Sequence, residues 1–193
     1  MTSPLNLPTS PISARQRWLN VWVTVGSVLA CLMLSLSRIP GMELLGVAPN
    51  WVLIWVVAWS VRRTPWDGAI AGLVLGLLQD AMTAPHPTHT LNLIVVGVLT
   101  ARLQKQRYIQ EDIVSIALIA FGMAVISETV MALQVSLDRL FADGSLYPPL
   151  GVVWQYHQRI ALSSAILSSM WAPAVYYPLN RWWEKHAPQD LSQ

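Results

Sequence analysis

Residues 68 to 80 read Gly68-Ala-Ile-Ala-Gly72-Leu-Val-Leu-Gly76-Leu-Leu-Gln-Asp80, with glycine at every fourth place and a carboxylate at the next step of the series. Positions four apart share one face of an α-helix, so Gly68, Gly72, Gly76 and Asp80 form a slowly drifting stripe. A smooth glycine groove lets a second helix approach closely, and in lipid that close packing helps drive helix association. A carboxylate at membrane depth is costly and is held against protein or water rather than acyl chains. This segment reads as the packing hub of a membrane protein.

Composition agrees. Of 193 residues, 54% are hydrophobic and only 11% are charged, against about a quarter charged in soluble domains. The formal net charge of +2 is too small and too scattered for nucleic-acid binding. The single cysteine, Cys31, sits in an apolar run and reads as a small hydrophobe. The expected organisation is one compact all-α membrane domain over residues 15–183, between a disordered tail at 1–14 and a short tail at 184–193.

Six apolar segments follow one another, at about 18–37, 44–61, 68–84, 90–103, 113–137 and 160–179. The first has about the ~20 residues a spanning helix needs. It outruns a signal-peptide core and is followed by further apolar segments, which favours an anchor over a cleaved leader. The Trp51, Trp55 and Trp59 series on the second segment presents an exposed-looking aromatic face for lipid or a partner helix. Pro85-His86-Pro87 breaks the chain into a tight turn before the short fourth segment. Residues 138–158 read as a mixed loop that has room for a short surface helix, and Pro173 and Pro178 are expected to kink and then end the sixth segment.

Six spans put both termini on one side of the membrane. Arg15, Arg17, Arg62, Arg63, Arg102, Lys105, Arg107, Arg181 and Lys185 fall on that side, against Arg38, Arg139 and Arg159 on the other. Basic residues favour the cytoplasmic face, so both termini are expected there.

Signals for chemistry are few. Asp80 and Glu128 are the acidic residues well inside the expected spans, and structural or partner contact suits them better than a transport path, which needs more polar lining. Asp80, His86 and His89 match no compact zinc spacing. The serines of the sixth segment, Ser163, Ser164, Ser168 and Ser169, lack a nucleophile elbow, and no phosphate loop, CxxC or HExxH occurs. No enzyme activity, metal or cofactor is expected. The pairs Gly26/Ala30 and Gly97/Ala101 add further small-residue spacings of four. The residues expected at helix-packing or partner contacts are Gly68, Gly72, Gly76, Asp80, Glu128, Pro49, Trp51 and Trp55.

Three short patterns together resemble the rod shape-determining MreD family. They are Pro49-Asn50-Trp51-Val52-Leu53 opening the second segment, Arg62-Arg63 closing it, and Gly72-x-x-x-Gly76-Leu77-Leu78-x-Asp80 with Leu91 across the next turn. The resemblance covers about residues 45–105, and Thr88 stands where that family tends to carry glycine. It implies a multi-pass protein of the bacterial inner membrane, similar in fold to the substrate-binding subunits of energy-coupling-factor transporters. It further implies a non-enzymatic scaffold that partners the bitopic protein MreC. Through it such a scaffold links MreB filaments to the SEDS glycosyltransferase and the transpeptidase of lateral peptidoglycan synthesis. The fold likeness also suggests an alternative, a small-solute binding subunit of a transporter, and more distantly a purely lipid-interacting protein.

Overall fold

A computed structural model describes residues 14–37, 41–83, 88–105, 112–141 and 149–186. The expected tails, from residue 1 to 13 and from 187 onward, the Pro85-His86-Pro87 turn and the segment 142–148 lie outside the described residues. Among the described residues there are six helices: α1 Ala14–Leu36, α2 Trp51–Ser60, α3 Pro65–Met82, α4 His89–Lys105, α5 Ile113–Phe141 and α6 Leu150–His186. Three of them, α1, α5 and α6, are long and apolar enough to cross a membrane.

The bundle is organised around its shortest helix. Nine of the ten residues of α2 are buried, and α2 packs against all five other helices. Its sequence, Trp-Val-Leu-Ile-Trp-Val-Val-Ala-Trp-Ser, is apolar on every side, and a helix hydrophobic all round is stable only when surrounded. On one side of α2 the helices α3 and α4 form a tight antiparallel hairpin; on the other, α5 and α6 form a second. Contacts between α4 and α5 join the two hairpins, while α1 lies against α2 and touches α6 lightly.

Local signals explain where the helices begin. Thr64 caps α3 through a reciprocal box with Asp67, and Pro65 occupies the first helical position, where its missing N–H costs nothing. Asn50 Oδ1 accepts from Leu53 N at 3.0 Å at the start of α2, and Asn50 N donates to Ser168 Oγ on α6 at 3.1 Å. Pro49, just before this cap, is buried. Asp112 caps α5, and hydrogen bonds from Ser115 hold its carboxyl below the usual aspartate range.

Several expectations need correcting. The second segment does not start at Leu44. Residues Leu44 to Val47 close a two-residue turn with mutual backbone hydrogen bonds of 2.9 and 3.0 Å, and Leu45 and Gly46 take positive φ. Such a left-handed pair cannot lie in a helix, so α2 starts only after Asn50 and, at ~1.5 Å per residue, extends about 15 Å. The supposed loop at 138–158 is largely helical, because α5 runs on to Phe141 and α6 starts at Leu150. Pro173 and Pro178 lie inside α6, which continues to His186. Neighbouring helices tolerate proline in such segments by re-satisfying the freed backbone groups. The aromatic stripe of α2 also turns inward: Trp51 and Trp55 are buried and Trp59 is half-buried.

Candidate functional site

The glycine stripe of α3 meets α4 backbone to backbone. A β-carbon built at Gly68 would lie 2.8 Å from the Gly97 carbonyl carbon, and one at Gly72 would lie 2.7 Å from Ile94 N. At Gly76 it would run into Thr90 Cα, with Thr90 N at 2.9 Å. Real β-carbons essentially never come this close, so only glycine fits at these three steps. Of the two small-residue pairs noted in the sequence, Gly97/Ala101 belongs to this seam, with Gly97 against Gly68 and Ala101 buried. Gly26 faces open space.

Asp80 closes the seam at the C-terminal end of α3. Its Oδ1 accepts from His89 N at 2.6 Å and lies 2.9 Å from His89 Nδ1. Its Oδ2 accepts from Thr90 N at 3.1 Å and from Thr90 Oγ1 at 2.6 Å. The first N–H groups of a helix have no partner within it, and the positive end of the helix dipole favours an anion. Asp80 therefore caps α4 from the preceding helix, nine residues before His89 in the sequence. Thr88, at the glycine-favouring position, is tied to α5 through Gln134 by bonds of 2.9 and 3.1 Å. Among the described residues no group of three His, Cys, Asp or Glu could hold a metal ion; His86 lies outside them.

The tryptophans of α2 dock on α6. Trp51 packs on Trp171 with ring centroids 5.5 Å apart, and Trp55 and Trp59 stack at 5.3 Å with Trp183 edge-on to both. Trp55 Nε1 donates to Ser27 Oγ on α1 at 2.9 Å, and the Arg63 guanidinium lies 4.0 Å above the Trp59 ring. Just beyond, Arg62 pairs with Glu184. These contacts fix the end of the bundle where α2 stops and α6 finishes.

Glu128 sits half-buried on α5, with His157 Nδ1 of α6 3.3 Å from its Oε2. Sequence reasoning found Glu128 and missed its partner, because residues 29 apart give no local signal. The buried bond from Asn92 Nδ2 on α4 to Ser127 Oγ on α5, at 2.8 Å, was missed for the same reason.

Among the described residues, two surface grooves bear on function. One, of about 410 Å³, runs between α1 and α3 over the edges of Trp55 and Trp59, and its walls include Val25, Leu29, Ile70 and Val74. The other, of about 290 Å³, lies between α5 and α6 at the Glu128–His157 pair.

Long apolar helices around a largely buried short one, with a glycine hairpin latched by a carboxylate, define an all-α membrane protein whose prominent features serve packing. The family model for the rod shape-determining protein MreD matches residues 16–173, most of the chain. The chain belongs to that family, whose members are membrane components with a role in rod-shape determination. No curated protein matches it.

Proposed function

We propose that this chain is a non-enzymatic scaffold of the bacterial elongation machinery in the inner membrane, and that it seats the transmembrane helix of an MreC-type bitopic partner. In this reading the chain crosses the membrane six times with both termini in the cytoplasm. Its partner connects it to MreB filaments and to the enzymes of lateral peptidoglycan synthesis.

The observation that carries this reading is the groove between α1 and α3. Val25 and Leu29 of α1, and Ile70 and Val74 of α3, are exposed along its walls. An apolar trough of that kind suits an apolar helix, since helix pairs in lipid are held by close van der Waals packing. The glycine stripe supports the same reading indirectly. Its small faces are occupied by α4, so α3 is held rigidly and its opposite, bulkier face is left to form a wall of the trough. A preorganised surface loses less freedom on binding.

The test is capture of a tagged MreC-type partner from detergent extracts by the wild type and by Val74→Trp, which puts bulk into the trough at a half-exposed site. Wild-type capture and at least about a tenfold loss in V74W, equivalent to ~1.4 kcal/mol, with unchanged thermal unfolding, is the expected result. Undiminished capture by V74W removes the trough as the partner site.

A further inference from the structure

The α5/α6 groove has a different character from the α1/α3 trough. Its walls carry Glu128, Thr129, His157, Gln158 and Trp154, together with the apolar Val125, Ala161 and Leu162. The two helices run antiparallel, so their residues order along one axis. Trp154 lies toward the start of α6, the Glu128–His157 pair in the middle, and Val125 and Leu162 at the far end. The groove thus runs from Trp154 and Ala132 at one end, through a polar middle, to an aliphatic far end.

Its depth follows from helix length. Trp183 packs on Trp59, and Glu184 pairs with Arg62, at the end of the bundle that holds the start of α3. His157 precedes Trp183 by 26 residues of continuous helix, about 39 Å at ~1.5 Å per residue. Leu162 is about 32 Å away on the same ~1.5 Å rise. A hydrocarbon core measures ~30 Å. With the six-span placement proposed above and Trp183 at one membrane boundary, the polar part of the groove reaches the headgroup zone of the leaflet opposite the termini, and the aliphatic part lies at the edge of the acyl chains.

We infer that this groove binds a phospholipid bearing a primary ammonium headgroup. Glu128 accepts hydrogen bonds from the ammonium, the Trp154 ring flanks it, and Val125, Ala161 and Leu162 receive the start of an acyl chain. The lining contains a carboxyl group and no Lys or Arg, so it suits a cation and disfavours a purely anionic headgroup. An ammonium beside an indole face gains further attraction. A volume of about 290 Å³, near the lower end of small-ligand pockets, has room for a headgroup and the start of an acyl chain. The polar-to-aliphatic order is that of a lipid entering sideways from its own leaflet.

The full chain, purified in detergent, is incubated with equimolar phosphatidylethanolamine and phosphatidylglycerol, and the retained lipid is read by native mass spectrometry. The wild type is expected to retain phosphatidylethanolamine with about a tenfold preference, as one charge-assisted hydrogen bond allows. Glu128→Gln is expected to erase the preference. Ala161→Phe, which fills the aliphatic end and keeps the Glu128 carboxylate, is expected to reduce retention of both lipids and serves if E128Q fails to fold. Equal retention of the two lipids by the wild type overturns the inference, as does an undiminished preference in E128Q or full retention in A161F. So does displacement of the bound lipid by an apolar peptide with a single central lysine, since that result assigns the carboxylate to a partner helix.

Discussion

Replacing Gly72 by alanine tests the seam most directly, because two effects of known sign oppose each other there. In a helix interior, Gly→Ala is favourable by up to about 1 kcal/mol from propensity alone. At Gly72 the added carbon would meet Leu93 C at 2.5 Å and Ile94 N at 2.7 Å. Ordinary contact begins near 3.4 Å, so α4 has to retreat by roughly 1 Å, an overpacking that costs ~1–3 kcal/mol. The obstacle is backbone rather than a side chain that could rotate away, and Asp80 pins the start of α4 through His89 and Thr90. The upper part of that range therefore applies, and Gly72→Ala should be destabilising by about 1–2 kcal/mol net. Gly122 on α5 is the matched control, since nothing lies within 4 Å of the place its methyl group would take; Gly122→Ala should be neutral or stabilising by up to about 1 kcal/mol. Equilibrium unfolding of both variants and the wild type in mild detergent with increasing SDS gives the comparison. If G72A unfolds at the same SDS fraction as G122A, the two helices are not in backbone contact and the seam is misassigned.

Asp80→Leu leaves the first N–H groups of α4 without their acceptor and should cost ~1–3 kcal/mol, while Asp80→Asn keeps one acceptor oxygen and should cost less; SDS titration orders the three proteins. If Asn is as damaging as Leu, the charge rather than the hydrogen bonds is what matters at this position. A double-mutant cycle of Asn92→Ala and Ser127→Ala should give a coupling of about 0.6 kcal/mol, and at most ~1.7, the range for interhelical hydrogen bonds in membranes; zero coupling means that the bond does not persist in lipid. For topology, in a Cys31→Ser background, cysteines placed at Ser10 or Gln189 should react with an impermeant maleimide only after permeabilisation, and one at Ser145 should react in intact spheroplasts. External labelling at both termini refutes the cytoplasmic placement.

The sequence alone determined that this is a helical membrane protein and where its close contact would form. Those properties are written locally. Low charge and long apolar runs select lipid as solvent, and a four-residue glycine period defines a flat helix face whatever packs on it. It also singled out Asp80 and Glu128, because a carboxyl group in an apolar run is conspicuous without any partner in view. What the glycine face meets is a tertiary matter. That α4 occupies it depends on Asp80 reaching across the turn to cap the next helix, and the identity of those acceptors and donors is fixed by the path of the chain. The aromatic period of α2 was equally visible, but its direction was not: a stripe of tryptophans looks the same whether it faces lipid or Trp171 and Trp183. Burial of a ten-residue helix on every side is decided by how many neighbours surround it, and no local pattern counts neighbours. For the same reason His157 was invisible beside Glu128, since the two residues become adjacent only when α5 and α6 fold into a hairpin.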